Sequence, residues 1–245
     1  MNARLARSLS VAALPLVTGG WLAIAAAPAQ ADDSSGGPRY SYFDAGYQWT
    51  DINYAVKQEG GQHEGIKLNG SVAVANFSAV GLHLFGEFFD GEFSGIRTTC
   101  DGGEGSESTS FDGDRDSQSL AGGLGLSYRL AENTDIVARA AYVDISKFEI
   151  PNSACSLVDV DDSGYFVEGM IRSELSENVE IEAGYRYSDL SDSDISNNDV
   201  LLGLGYHVTD YLTLRVRGVV FDDDTGLELS ARLYFGSFLG RDAIF

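Results

Sequence analysis

Residues 123–144, GLGLSYRLAENTDIVARAAYVD, constrain the fold more than any other stretch. Leu124, Leu126 and Tyr128 alternate with Gly123, Gly125, Ser127 and Arg129; after a polar break, Ile136, Ala138, Ala140 and Tyr142 alternate with Val137, Arg139 and Ala141. Apolar side chains at every second position give a strand one apolar face, whereas a helix would space them by three or four. Leu130-Ala131-Glu132-Asn133-Thr134-Asp135, between the two arms, supplies the Asn and Asp that tolerate tight-turn dihedrals. The stretch predicts a β-hairpin.

The pattern recurs. Leu175-Ser176-Glu177-Asn178 repeats the turn, and Val208-Thr209-Asp210 is a looser copy. Around these turns Ile136, Ile181 and Leu214 fall in register, as do Ala138, Ala183 and Val216. A more divergent hairpin runs from Leu68 to Phe89 about Ala75-Asn76-Phe77-Ser78. Hairpins with short turns at one end need longer connections at the other, and here those connections carry most of the acid. A chain of antiparallel neighbours with this asymmetry predicts an up-and-down barrel.

Residues 1–31 read as a signal peptide. Arg4 and Arg7 form a basic start, Val11 to Ala27 is almost wholly apolar, and Ala29-Gln30-Ala31 is a small-x-small cleavage pattern before Asp32. An uncleaved anchor helix is the alternative, and Pro15, Gly19, Gly20 and Pro28 disfavour it. No other run of about 18 apolar residues exists, but barrel strands cross with about ten residues each, so a membrane location stays open. Residues 32–245 are the length of one domain. The formal net charge of −21 argues against nucleic acid as a partner. Two cysteines in an exported chain, Cys100 and Cys155, predict a disulfide; both fall in connections at the same end of the sheet.

Ten strands are expected: 40–54, 65–75, 82–93, the two arms of residues 123–144, 164–173, 179–187, 200–207, 212–221 and 226–235. Residues 94–117, rich in Gly, Ser and Asp, read as the longest connection, and the next is expected to run through Pro151 and Cys155 to Asp162. The polar faces of the strands carry Lys67, Glu87, Arg139, Glu168, Arg172, Glu182, Arg186, Arg215, Arg217, Glu228 and Arg232. Mid-strand charge of both signs is costly unless paired, which predicts an Arg and Glu network across a narrow lumen. The opposite faces carry Leu, Ile, Val and Ala, with Tyr47, Trp49, Tyr128, Tyr142, Tyr185, Tyr187, Tyr206 and Tyr211 towards the strand ends, in the manner of interfacial aromatic girdles.

The leader, strand fragments such as Leu202-Gly203-Leu204-Gly205-Tyr206 and Glu182-Ala183-Gly184-Tyr185-Arg186-Tyr187, the short turns and the acidic connections resemble the small bacterial outer-membrane β-barrels of the OmpA-barrel, OmpX and opacity-protein kind. The resemblance covers residues 32–245 and implies an all-β, antiparallel transmembrane barrel in the outer membrane. Members typically have eight strands, the alternative to the ten read here. Many end in an aromatic residue that assists assembly; Phe245 is terminal, but Phe235 fits the strand alternation better. The partners implied are outer-membrane lipid and lipopolysaccharide, the barrel-assembly machinery, and a host or envelope protein ligand.

Some small barrels are enzymes that modify lipid A, cleave phospholipid or, like the omptins, cleave peptides. They need His with Ser or Asp at a defined membrane level. His63 reads as part of an outer loop, and His83 and His207 lie near the short turns; no local spacing marks a catalytic set. Asp112, Asp114 and Asp116, and again Asp159 and Asp161, place carboxylates at alternate positions, as a calcium loop begins. The second run has Gly164 at its sixth place, yet Met170 stands at the twelfth where a bidentate Glu belongs, so an EF-hand is rejected. Weak Ca2+ or Mg2+ binding remains the alternative to plain solvated acid, and no other cofactor is expected. The leading expectation is a non-enzymatic barrel with a structural or adhesion role through acidic loops; the alternatives are a narrow cation-preferring pore and an envelope enzyme.

Overall fold

The computed structural model describes residues 39–52, 61–77, 79–94, 97–100, 109–112, 115–151, 157–191, 195–221 and 224–235. Its strands are β1 (Tyr42–Ile52), β2 (Gly61–Phe77), β3 (Val80–Ser94), β4 (Arg97–Cys100), β5 (Thr109–Asp112), β6 (Arg115–Ala131), β7 (Thr134–Pro151), β8 (Leu157–Ser176), β9 (Val179–Leu190), β10 (Ile195–Thr209), β11 (Leu212–Phe221) and β12 (Asp224–Tyr234). Ten of them close a barrel in the order β1-β12-β11-β10-β9-β8-β7-β6-β3-β2, while β4 and β5 form a separate hairpin. Every neighbour in the ring is antiparallel, and the ring shuts where Tyr42 pairs with Tyr234. This is the ten-stranded up-and-down barrel the hairpin pattern predicts.

Period two sorts the side chains. On β8, Ile171 is 50% exposed and Arg172, the next residue, is 1% exposed. Leu124, Leu126, Leu202, Leu204, Leu214 and Leu229 are likewise exposed on the outer wall. A wall of exposed aliphatic side chains is unfavourable in water and suited to hydrocarbon. Tyr128, Tyr206 and Tyr211 stand on the wall towards the short turns, and Trp49, Tyr142, Tyr165 and Tyr185 towards the other end. Among the described residues no helix is long and apolar enough to cross a membrane.

The structure departs from the sequence reading above the girdle. Strands run well past the ten or so residues that span a bilayer, with β2 at 17 residues and β8 at 20. His63, expected in a loop, is on β2 opposite Thr50 and Phe93. Asp159, Asp161 and Asp162, expected in a connection, are on β8 opposite β7. The reading of residues 94–117 as one long connection gives way to the β4–β5 hairpin set between β3 and β6. The physical reason is common to all: beyond the lipid a strand keeps its backbone pairing but no longer needs an apolar outer face, so the alternation that reveals it disappears. The leader, Cys155 and Phe245 lie outside the described residues, as do the side chains at Cys100 and Phe111.

Candidate functional site

The lumen is the candidate site, because most of the barrel's charged side chains inside the wall converge there. Arg215 of β11 donates to Asp44 of β1 at 2.6 Å and also to Glu182 of β9. Arg217 donates its Nε to Glu182 at 2.7 Å. Arg232 of β12 reaches Asp44 at 3.1 Å, and Lys67 of β2 reaches Glu228 of β12 at 3.0 Å. Arg186 of β9 holds Glu168 at 2.7 Å and Glu87 of β3 at 2.9 Å; β8, β7 and β6 separate β9 from β3, so this pair spans the lumen. Arg139 of β7 pairs with Glu168 at 3.5 Å and donates across to the Tyr42 hydroxyl at 2.9 Å. Arg172 grips both oxygens of Glu180, at 2.9 and 2.8 Å.

Glycine makes room for this network. Glu182, Gly203 and Arg217 lie side by side on β9, β10 and β11. A Cβ on Gly203 would sit 2.4 Å from Glu182 Cγ, so the carboxylate reaches over β10 only because that position carries no side chain. Gly125 does the same for His83, whose Nε2 would lie 1.9 Å from an added Cβ. These glycines are bridges over which side chains pass from one strand to the next but one.

Aromatic groups gather at both mouths. At the short-turn end Tyr40, just before β1, stacks on His83 at 5.0 Å and donates to Asp135 of β7 at 3.0 Å. Arg172 lies over its ring at 5.1 Å and donates to the Arg39 carbonyl at 3.3 Å. Arg39 in turn covers the Tyr234 ring at 4.5 Å and donates to the Asp210 carbonyl. Between the mouths Phe85, Ala121, Ala141 and Phe166 form a buried apolar cluster, with Arg186 over Phe166 at 4.0 Å. At the other end His63 stacks on Phe93 at 3.9 Å and meets Ser117 Oγ through Nε2 at 3.2 Å. This His and Ser pair was invisible as local spacing, since 54 residues separate its members.

All eleven side chains assigned to the lumen from sequence point inward, and each has a partner of opposite charge there. Asp44 and Glu180, equally central, were not in that set, although strand parity places both on the polar face. Tyr40, Tyr42 and Tyr234 were also missed, because an inward aromatic looks like a girdle residue until its parity is counted. Of the acidic candidates, Asp112 ends β5 opposite Arg97, Asp116 is exposed on β6, and Asp159 and Asp161 occupy alternate positions of β8. Asp114 lies outside the described residues.

No curated protein matches the chain. Among solved structures, it is similar to the KdgM porin in complex with disordered oligogalacturonate, at 12% identity and TM-score 0.41 over 78% of this chain and 99% of that one. The NanC porin aligns at 8% identity and TM-score 0.44, over 80% and 100%. Ail, the attachment invasion locus protein of Yersinia pestis, aligns at 14% identity and TM-score 0.39, over 79% and 97%. The family described as outer membrane protein beta-barrel domain matches residues 20–207, which end near the short-turn end of β10. With three quarters of the sequence inside that match and a closed ten-stranded barrel to account for it, the chain belongs to the outer membrane protein beta-barrel domain family.

Proposed function

We propose that the protein is a non-enzymatic barrel with a closed lumen, whose work is done at its acidic outer end. The observation that supports this most is the dense pairing of luminal charge, above all Arg186 with Glu87 across the lumen and Arg215 with Asp44 over the intervening β12. An ion entering would meet groups already neutralised by one another, between two clusters of aromatic side chains. The outer end is different: Asp51, Asp90, Glu92, Asp116 and Asp161 are all exposed, and Glu92 stands directly opposite Asp116. Like charges paired across strands weaken a sheet, so their presence here suits a partner of opposite charge. The partner class is a host or envelope protein with a basic face, reached once residues 1–31 have been removed and the barrel inserted. A Cys100–Cys155 disulfide would tie the β4–β5 hairpin to the β7–β8 connection, and non-reducing mass spectrometry should show it.

Single-channel recording of the purified protein in a planar bilayer tests the closed lumen. The expected record has no steady current at moderate voltage. A stable, cation-selective conductance would establish the narrow pore instead. Turnover of lipid A or peptide that disappears with His63→Ala would establish the enzyme.

A further inference from the structure

We infer that Glu174, Glu180 and His207 form a binding site for one metal ion of the zinc class at the short-turn mouth of the barrel. The turn at Glu177 and Asn178 folds β8 back onto β9 and sets Glu174 opposite Glu180. β10 brings in His207, whose backbone N–H donates to the Asn178 carbonyl at 2.9 Å. One donor atom from each of the three side chains lies within 4.8 Å of the other two.

Close acids alone would say little, but the imidazole adds an independent observation. His207 is 7% exposed, so the ring is removed from bulk water. Its Nδ1 is 2.6 Å from the hydroxyl of fully buried Thr213, and its Nε2 is buried without a hydrogen-bond partner. If Nδ1–H donates to Thr213, Nε2 presents a bare lone pair; if Thr213 donates, Nε2–H is stranded. A buried polar atom left unmatched is costly, and a cation at Nε2 removes that penalty for the first tautomer. A hydrogen bond that fixes the far nitrogen is also how metal-ligating histidines are held.

The donor set indicates which metal. It includes only one fully charged acid, because Arg172 holds Glu180 at 2.8 Å and Arg232 stands 3.7 Å from it, so Glu180 does not present its full negative charge. Ca2+ and Mg2+ rely on six or more oxygens and on charge, and would gain little here. Zinc-class ions bind imidazole strongly and accept three protein ligands with a fourth position open to water. Glu174 is only half-buried, which gives an ion a path from the mouth. The site is at the opposite end from the acidic surface of the proposed function, and either can fail without the other.

The test uses full-length protein without a polyhistidine tag, stripped with chelator in detergent micelles and titrated with ZnCl2 in excess Mg2+. One Zn2+ per chain is expected, and Glu174→Gln and His207→Asn should each weaken binding at least about tenfold. The gel-mobility difference between boiled and unboiled samples reports whether each variant is still a barrel. Absence of saturable binding overturns the inference. So does unchanged affinity in Glu174→Gln, which alters a half-buried position and decides the matter alone if His207→Asn does not fold.

Discussion

Strand β11 carries Thr213, Arg215 and Arg217 on one face and Leu214 and Val216 on the other, and these faces live under different rules. Inside, the eleven charges assigned from sequence are all partnered: Glu182 serves Arg215 and Arg217 together, and Asp44 serves Arg215 and Arg232. Outside, Leu214 and its neighbours need only be apolar, because the surrounding medium has no preferred geometry. The inner face is therefore sensitive to which residue is present, and the outer face to what class of residue is present.

Breaking the inner rule should have the largest effect. Glu182→Ala leaves Arg215 and Arg217 without their shared carboxylate, and loss of one partner from a buried pair costs about 3 to 5 kcal/mol. Urea unfolding in lipid vesicles would measure it; a loss below 1 kcal/mol would mean the lumen is wet enough to solvate both arginines. The outer rule is broken by Leu202→Arg, near the middle of the wall, with an expected loss of about 2 to 4 kcal/mol. Leu202→Ile should be nearly silent, and equal losses from both would show the wall to be a packed interface rather than a lipid-facing surface. Gly203→Val tests the bridge between the faces: it obstructs the path of Glu182 over β10 and should cost about 1 to 3 kcal/mol. Asp116→Asn, exposed above the girdle, should change stability by less than about 0.5 kcal/mol while relieving its opposition to Glu92.

The same contrast explains what the sequence made legible. Within the bilayer two media act on one strand, so Leu202, Leu204 and Tyr206 alternate visibly with Gly203 and Gly205, and both strand count and parity follow. Parity in turn placed Arg139, Glu168, Arg172 and Glu182 inside. It could not tell which arginine meets which acid, because Arg186 with Glu87 and Arg215 with Asp44 are joined by barrel closure across 99 and 171 residues. Above the bilayer both faces are wet, and the outer parts of β2 and β8 lost their signature, carrying His63 and Asp159 with them. The zinc-class cluster was hidden for a third reason: Glu174, Glu180 and His207 share no spacing and meet only because two hairpin ends lie side by side.

The central claim, that one wall of this barrel is wetted by lipid while the other holds a closed ionic interior, is tested most directly by moving a single fluorophore. In a chain lacking residues 1–31, Trp49 is the sole tryptophan. Leu202→Trp in a Trp49→Phe background places the indole at mid-wall. Brominated acyl chains should quench it strongly and aqueous iodide should not. Quenching by iodide with no response to the brominated lipid would contradict the account.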